Sequence, residues 1–436
     1  MEAKLDPKLP LLQNADVKDK VVLIRVDHNV IEDGKIEDTF RIDQTIGTIY
    51  NIVERGGRPI LMTHVGRPKD PKTGEIKTDR SSAVDPVVEY IQNKLHTKLV
   101  VPDLKATETK GIGTLDDTLK EAIKDLKDKK IGGIYLPNTR WFSGEESAGP
   151  ERDALAKQMA GIADIYVNDA FGSWQPHVST ADITKYLPSF AGFLMQKEIY
   201  NLSRVLEPQR PFIAVVAGAK FNTKIGPISQ MYPKVDKLIL GGVMYNAYLC
   251  AKYGIEIKGI DAKDVDAAKK LVEMDAKAGK VLEMPLIIES DTMDGKKPGQ
   301  FRTRNVKELP KGTKLNYVLD VAPENFEVPQ IKNALATAKT VFVNAVMGFS
   351  PHFIDGSKAL YSAIGQNQDA MKLFGGGDTL QELKNNCPGQ YLKALDDPNY
   401  YFFTGGGTVL KAIEEGSPYG LEPVKLLMNN GGKKPK

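Results

Sequence analysis

The 436-residue chain reads as α/β, with parallel sheets in two domains joined by a helix. Three observations predict this. Short β-rich runs alternate with longer amphipathic segments from end to end. The runs are continuously apolar, as strands covered on both faces are. The length also exceeds what one hydrophobic core usually serves.

The strand candidates of the first half are VVLIRV, PILMTH, KLVVP, GGIYLP and DIYVND. Those of the second half are FIAVVAG, KLILGG, PLIIES, TVFVN, KLFGGGD and YFFTGGG. Helical patterns fill the gaps at 79–95, 150–164 and around 262–275, and the Lys-rich run 119–130 reads as a solvated helix face. Between Pro188 and Pro208, residues 190–206 carry apolar side chains at 193, 194, 199, 202, 205 and 206, which predicts one helix; a link between two domains is the economical reading, and a helix inside one larger sheet is the other. A fresh strand follows at Phe212. The expected division is 1–189, a hinge helix over 190–207, 208–415, and a tail over 416–436.

Composition narrows the function classes. A net charge of +3 is too small on this length to argue for nucleic acid. No apolar run approaches the ~20 residues of a membrane span, and the N-terminus has no signal-peptide core, so no membrane role and a cytosolic location are expected. Cys250 and Cys387 show no CxxC or Cys/His pattern, which reads as two thiols in a reducing compartment. Every GK is followed by Ile, Val or Lys, so there is no Walker A loop. GxGxxG after a strand, GxSxG and HExxH are also absent.

In open parallel sheets ligands bind beyond the carboxyl ends of the strands. The residues there differ between the halves. The first presents Asp27, Asn29, His64, Arg67, Asn138, Arg140, Asn168 and Asp169. Arginine forks suit carboxylate and phosphate. The second presents AGAKFNTK with Lys220 and Lys224, GG at 241–242, Asn344, GGGDT at 375–379 and TGGG at 404–407. Glycines at strand–helix turns let backbone N–H groups approach phosphates, and Asp378 beside them suits Mg²⁺ near phosphate oxygens. Anion-gripping residues in one domain and nucleotide-like loops in the other suit a kinase whose substrates sit on separate domains.

These residues lie in motifs that resemble the phosphoglycerate kinase family over about residues 19–425. The segments are VLIRVDHNV, DGKIEDTFRI, ILMTHVGRP, LPNTRWFSGEE, DIYVNDAFG, AGFLMQKEI, RPFIAVVAGAKFNTKIG, VDKLILGGVM, GGGDT and TGGG. The resemblance implies two Rossmann-like domains with parallel sheets joined by a hinge helix, and a C-terminal tail returning to the N-terminal domain. It implies reversible phosphoryl transfer between 1,3-bisphosphoglycerate and ADP, giving 3-phosphoglycerate and ATP, by a monomer. Asp27, Asn29, Arg41, His64, Arg67 and Arg140 would bind the phosphoglycerate. Arg41 and Lys224 would stabilise the transferring phosphoryl group. Lys220, Lys224, Asn344, Gly376, Gly377, Asp378 and Thr379 would serve the nucleotide, with Asp378 on its Mg²⁺.

There are departures from the family pattern. His28 stands where Phe is usual, and reads as a packing substitute with a hydrogen-bond partner rather than a new base. FGSWQPHVST is one residue short and lacks the family's arginine; one lost charge-assisted bond is worth about 1.5–3 kcal/mol, or one to two decades in KM. AGAKFNTK stands for GGAKVSDK. NAVMGFSPHFIDGSKAL is about two residues short and lacks the Glu that would hold the ribose, for which Asp355 is the candidate substitute. Two other readings therefore stand beside the active enzyme: a catalytically impaired kinase-like binding protein, and a kinase for a different carboxylate or acyl phosphate.

Overall fold

The computed structural model describes residues 5–218 and 224–431. The chain divides into two units, Met1–Tyr200 with Tyr419–Lys436, and Asn201–Pro418.

The first unit carries strands β1 Val21–Val26, β2 Arg58–Met62, β3 Leu99–Val100, β4 Gly133–Tyr135, β5 Ile165–Asp169 and β6 Ser189–Ala191. They form one sheet in the order β6-β5-β1-β2-β4-β3, with every pairing parallel. β1 is central and wholly buried, pairing Val21–Arg25 with Arg58–Met62 and Val22–Val26 with Ile165–Asp169. Its β-branched residues suit a strand covered on both faces. Helices α1 Phe40–Glu54, α2 Asp85–Leu95, α3 Asp117–Lys127 and α4 Pro150–Ala160 come from the segments between strands. In α1, Ile42, Ile49 and Ile52 recur at helical spacing and join the core with Val22, Ile24 and Val26. The pattern at 79–95 resolves into a 3₁₀ turn, Arg80–Ser82, and α2, which starts beside Pro86 because proline is at home in a first turn.

Helix α5, Phe193–Leu206, contains the point where the chain passes from one unit to the other. It starts three residues later than the apolar pattern suggests, because Ser189–Ala191 pair with β5 as an edge strand.

The second unit carries β7 Phe212–Ala217, β8 Lys237–Gly241, β9 Leu286–Ser290, β10 Phe301–Asn305, β11 Tyr317–Val321, β12 Thr340–Asn344, β13 Met371–Gly375 and β14 Tyr400–Phe403. Its main sheet is parallel, in the order β8-β7-β12-β13-β14. The segment PLIIES is a correction to the all-parallel expectation: β9 lies in a separate antiparallel sheet, β10-β9-β11. Its burial alternates at Leu286–Ile288, and Glu289 is held by Arg302 and Arg304 at 2.8 and 2.9 Å. Around these strands lie α6 Ile225–Met231, α7 Gly242–Tyr253, α8 Ala262–Ala278, α9 Pro329–Thr337, α10 Asp355–Gln366, α11 Gly377–Asn386, α12 Pro388–Leu395 and α13 Gly406–Glu414. The last helix, α14 Glu422–Asn430, belongs to the first unit, where Asn430 donates to Thr184 Oγ1 at 3.2 Å. No described helix is long and apolar enough to cross a membrane.

His28 is fully buried just beyond β1. Thr45 spends its hydroxyl hydrogen on the Ile42 carbonyl, so His28 Nε2 donates to Thr45 Oγ1 at 2.8 Å and Nδ1 accepts from the Tyr135 hydroxyl at 2.9 Å. Burial, helped by Arg25, pushes this imidazole down to about 3, so it stays neutral at physiological pH. An unfolded histidine titrates near 6.5, so this site's stabilisation is complete above that pH and is lost as pH falls towards 3. His28→Phe is expected to take the imidazole acceptor from the Tyr135 hydroxyl, lowering stability by about 1–3 kcal/mol with kcat unchanged. Denaturant melts and steady-state assays on the purified variant would check both halves of this statement.

Candidate active site

From β1 the first unit's chain turns to β2 on one side and later returns to β5 on the other. The carboxyl ends of β1 and β5 therefore flank a topological switch point, where loops diverge and leave room for a ligand. Asp27 sits there, 3% exposed. Its Oδ2 lies 3.6 Å from Arg41, while Oδ1 is buried with no partner among the described residues. Arg41 belongs to the first turn of α1, so its charge adds to that of the helix's amino end, and it also donates to the Asn29 carbonyl at 3.4 Å.

The loop after β2 is tied to the same place. Asn29 Oδ1 accepts from the Gly66 N–H at 2.9 Å. Arg140 donates to the Gly66 carbonyl and ion-pairs with Glu146 at 3.0 Å. Asn138 acts as a clamp: it accepts from the N–H groups of Val65 and Arg140 and donates to the carbonyls of Val65 and Ser82. Arg67 is exposed on the Gly66 loop. Asp27, Asn29, Arg41, His64, Arg67 and Arg140 thus occupy one patch. Asn168 and Asp169 serve structure, Asn168 bonding Thr180 and Ala170, and Asp169 accepting the Met195 N–H at the start of α5.

Arg25 is a charged residue inside the otherwise apolar strand β1, and the fold gives it a role. Arg25 is 1% exposed and donates to Ser179 Oγ at 2.8 Å, to the Val26 carbonyl and to His64 Nδ1 at 3.0 Å. A guanidinium only donates, so Nδ1 is an acceptor and the His64 proton sits on Nε2. Burial, reinforced by Arg25, holds His64 well below its ordinary range and keeps it neutral. Behind Arg25, the fully buried Glu145 accepts from both the hydroxyl and the N–H of Ser179. The one signal available earlier was a charged residue inside a strand otherwise fit for full burial.

The segment 173–177 supplies no guanidinium. Nearby Arg152 does not replace it, because its donors go to Asp182, the Ser147 carbonyl and the Pro176 carbonyl. His177 faces Glu146 at 3.7 Å, and burial pushes it down to about 4, so it is neutral at physiological pH.

In the second unit β7 and β12 flank the corresponding switch point. Lys224 precedes α6 and donates to the Ala217 carbonyl and, at 3.0 Å, to Asn344 Oδ1. Asn344 in turn donates to the Gly375 carbonyl at 2.6 Å. Burial pushes the Lys224 amine down to about 8, with the Asp378 charge opposing the shift. Gly376 has φ +109°, a conformation L side chains avoid, and a Cβ on Gly406 would lie 2.5 Å from the Gly376 Cα. Two strand–helix turns therefore pack backbone to backbone. Helix α11 opens at Gly377, with Asp378 exposed in its first turn and Thr379 Oγ1 accepting the Ala345 N–H at 3.1 Å. Asn344, Lys224, Gly376, Gly377, Asp378 and Thr379 share one sheet edge. Lys220 falls outside the described residues. Asp355 opens α10 and is ion-paired with Lys296.

Comparison with known proteins places the chain in a family. The profile of the family described as phosphoglycerate kinase matches residues 12–416. The chain is 32% identical over 412 residues to the phosphoglycerate kinase of Dictyoglomus turgidum, covering 92% of this chain and 95% of that one. To the phosphoglycerate kinase of a Roseiflexus species it is 34% identical over 414 residues, with the same coverage. Among solved structures, the phosphoglycerate kinase of Coxiella burnetii is similar with a TM-score of 0.73 and 28% identity, covering 97% of this chain and 99% of that one. The enzyme from Pyrococcus horikoshii, at 21% identity and a TM-score of 0.70 over 97% and 100%, shares the fold. A match running through both units leaves no stretch of site outside it, and the chain belongs to the phosphoglycerate kinase family, a phosphotransferase with a carboxyl group as acceptor.

Proposed function

We propose that Arg41 and Lys224 stabilise the charge of the phosphoryl group as it moves between 1,3-bisphosphoglycerate and ADP. The observation that carries this reading is the setting of Lys224. Among the described residues its ammonium meets only neutral acceptors at hydrogen-bond distance, a desolvated cation beside glycine turns. Such a group stabilises negative charge as it develops, and phosphoryl transfer is mostly positioning and electrostatics.

In the first unit Asp27, Asn29, His64, Arg67 and Arg140 bind the phosphoglycerate. The buried Asp27 Oδ1, without a partner among the described residues, is where a glycerate hydroxyl would donate. Arg140 and Arg67 take anionic oxygens, and the Arg25-fixed Nε2–H of His64 donates. In the second unit Asn344, Gly376, Gly377, Thr379 and, by the family pattern, Lys220 serve the nucleotide. Asp378 is one exposed carboxylate at a helix amino end, a donor set suited to Mg²⁺ that keeps phosphate oxygens and waters as its other ligands. Bound there, Mg²⁺ would neutralise phosphate charge.

We assign α5 as the hinge helix because the chain changes units within it; scattering profiles unaltered by both substrates together would argue against that. The working enzyme is assigned to the cytosol as a single chain, which the two free cysteines and the presence of both half-sites in one chain support. A coupled assay with 3-phosphoglycerate and MgATP is expected to show turnover, with GTP run alongside because the chain lacks the Glu that the family pattern gives to the ribose. No turnover at millimolar substrate would refute an active enzyme, and preference for another acid by orders of magnitude would refute the substrate.

A further inference from the structure

Behind the nucleotide edge of the second unit lies a buried group that phosphoryl transfer does not use. Tyr361, on α10, is fully buried, and Glu382, on α11, is 5% exposed. The Tyr361 hydroxyl lies 3.1 Å from the Ala345 carbonyl and 3.0 Å from Glu382 Oε2. A phenol carries one hydrogen, and a carbonyl can only accept. Both contacts are hydrogen bonds at once only if the phenol donates to Ala345 and a protonated Glu382 donates to the phenol. When Glu382 is ionised, the single hydrogen is drawn to the carboxylate and the Ala345 carbonyl loses its donor.

Ala345 is a consequential place for such a choice. It follows Asn344, which bonds Lys224 and the Gly375 carbonyl. Its own N–H donates to Thr379 Oγ1, and two residues on the Met347 N–H donates to Ser357 Oγ at 3.1 Å. Side chains of α10 and α11 thus clamp the segment that leaves β12.

We infer that Glu382 is a positioning residue for nucleotide binding: while it holds a proton, Tyr361 anchors the Ala345 carbonyl and keeps Asn344 in place, and ionisation releases that anchor. This rests on the assignment of Asn344 to the nucleotide side. The groups facing Glu382 favour the proton. Burial pushes the carboxyl up to about 7, and Asp320 from β11 and Asp378 on its own helix add in the same direction. Ser357 and Tyr361 from α10 oppose by hydrogen bonding. Cys387, just past α11, faces it as a neutral thiol that burial pushes up, and Lys358 lies near that thiol. Glu382 Oε1 has no hydrogen-bond partner among the described residues, and burial outweighs the help that Ser357 and Tyr361 give the ionised form.

The test compares the whole enzyme with Glu382→Gln, Tyr361→Phe and Asn344→Ala, measuring KM for MgADP and kcat from about pH 6 to about pH 8.5. In Glu382→Gln the amide donates to the phenol at every pH. The wild-type KM for MgADP is expected to rise severalfold across neutrality, relative to the Gln variant, which stays near the low-pH value. Tyr361→Phe is expected to stay near the high value, and KM for 1,3-bisphosphoglycerate to follow none of these changes. Taking the ratio to the Gln variant cancels ionisation of the nucleotide and of Lys224. In the infrared difference spectrum of wild type minus Gln variant, which cancels the other buried carboxyls Asp169 and Asp320, the band of a protonated carboxyl is expected at pH 6 and lost by pH 8.5. A constant ratio of KM values between wild type and Glu382→Gln overturns the proposal, as does a wild type without that band. If Asn344→Ala leaves KM for MgADP unchanged, the site assignment fails first. If Asn344→Ala raises KM and the ratio is still constant, only the Glu382 role is lost.

Discussion

Lys224→Ala is expected to lower kcat by roughly 10²–10³-fold, the loss typical of removing one preorganised donor to developing charge, while the protein stays folded. The two halves of this expectation have one cause. The amine is pushed down to about 8 from an ordinary 10.5, chiefly by burial. Holding its charge therefore opposes folding at neutral pH, an effect that fades as pH rises through that interval. Removing the side chain relieves that opposition, so thermal melts of the variant should match or exceed the wild type. The same shift sets a pH dependence. In the free enzyme the ammonium is lost as pH rises through about 8, so kcat/KM for the nucleotide should fall there, and Lys224→Ala should lack that limb. Near-normal turnover in a folded Lys224→Ala protein would remove Lys224 from its assigned role.

What was legible in the sequence was whatever depends on local pattern. Asp27, Asn29, His64, Arg67 and Arg140 follow apolar runs, and polar residues just past buried parallel strands lie at the sheet's carboxyl edge by geometry alone. The glycine turns at 375–377 and 404–407 were legible for the same reason. What depended on distant partners was not. Phe190 and Ala191 read as the start of a helix because their apolar character fits both structures; pairing with β5 decides between them. Leu286–Ser290 read as one more parallel strand because nothing local shows that Arg302 and Arg304 will hold Glu289. The network behind His64 was least legible, since Arg25 and Ser179 meet across 154 positions of sequence.

That network predicts the largest stability effect. Arg25→Met is expected to destabilise the protein by about 3–5 kcal/mol, the loss seen when one partner of a buried charge pair is removed. Methionine fills much of the volume, so the loss is electrostatic. Glu145, fully buried, keeps its two bonds from Ser179 but loses the nearby guanidinium that favours its ionised form. Val26 and Ser179 lose a donor. Glu145→Gln in the same chain removes the uncompensated charge, so the double variant should recover part of the loss, and denaturant melts of the four proteins give the coupling directly. Activity should respond separately. Without Arg25 the His64 Nδ1 has no fixed donor, the proton is free to move to it, and KM for 3-phosphoglycerate should rise even in the stabilised double variant. A double variant with wild-type KM would confine Arg25 to a structural role, because the residues that touch substrate would then be oriented without it.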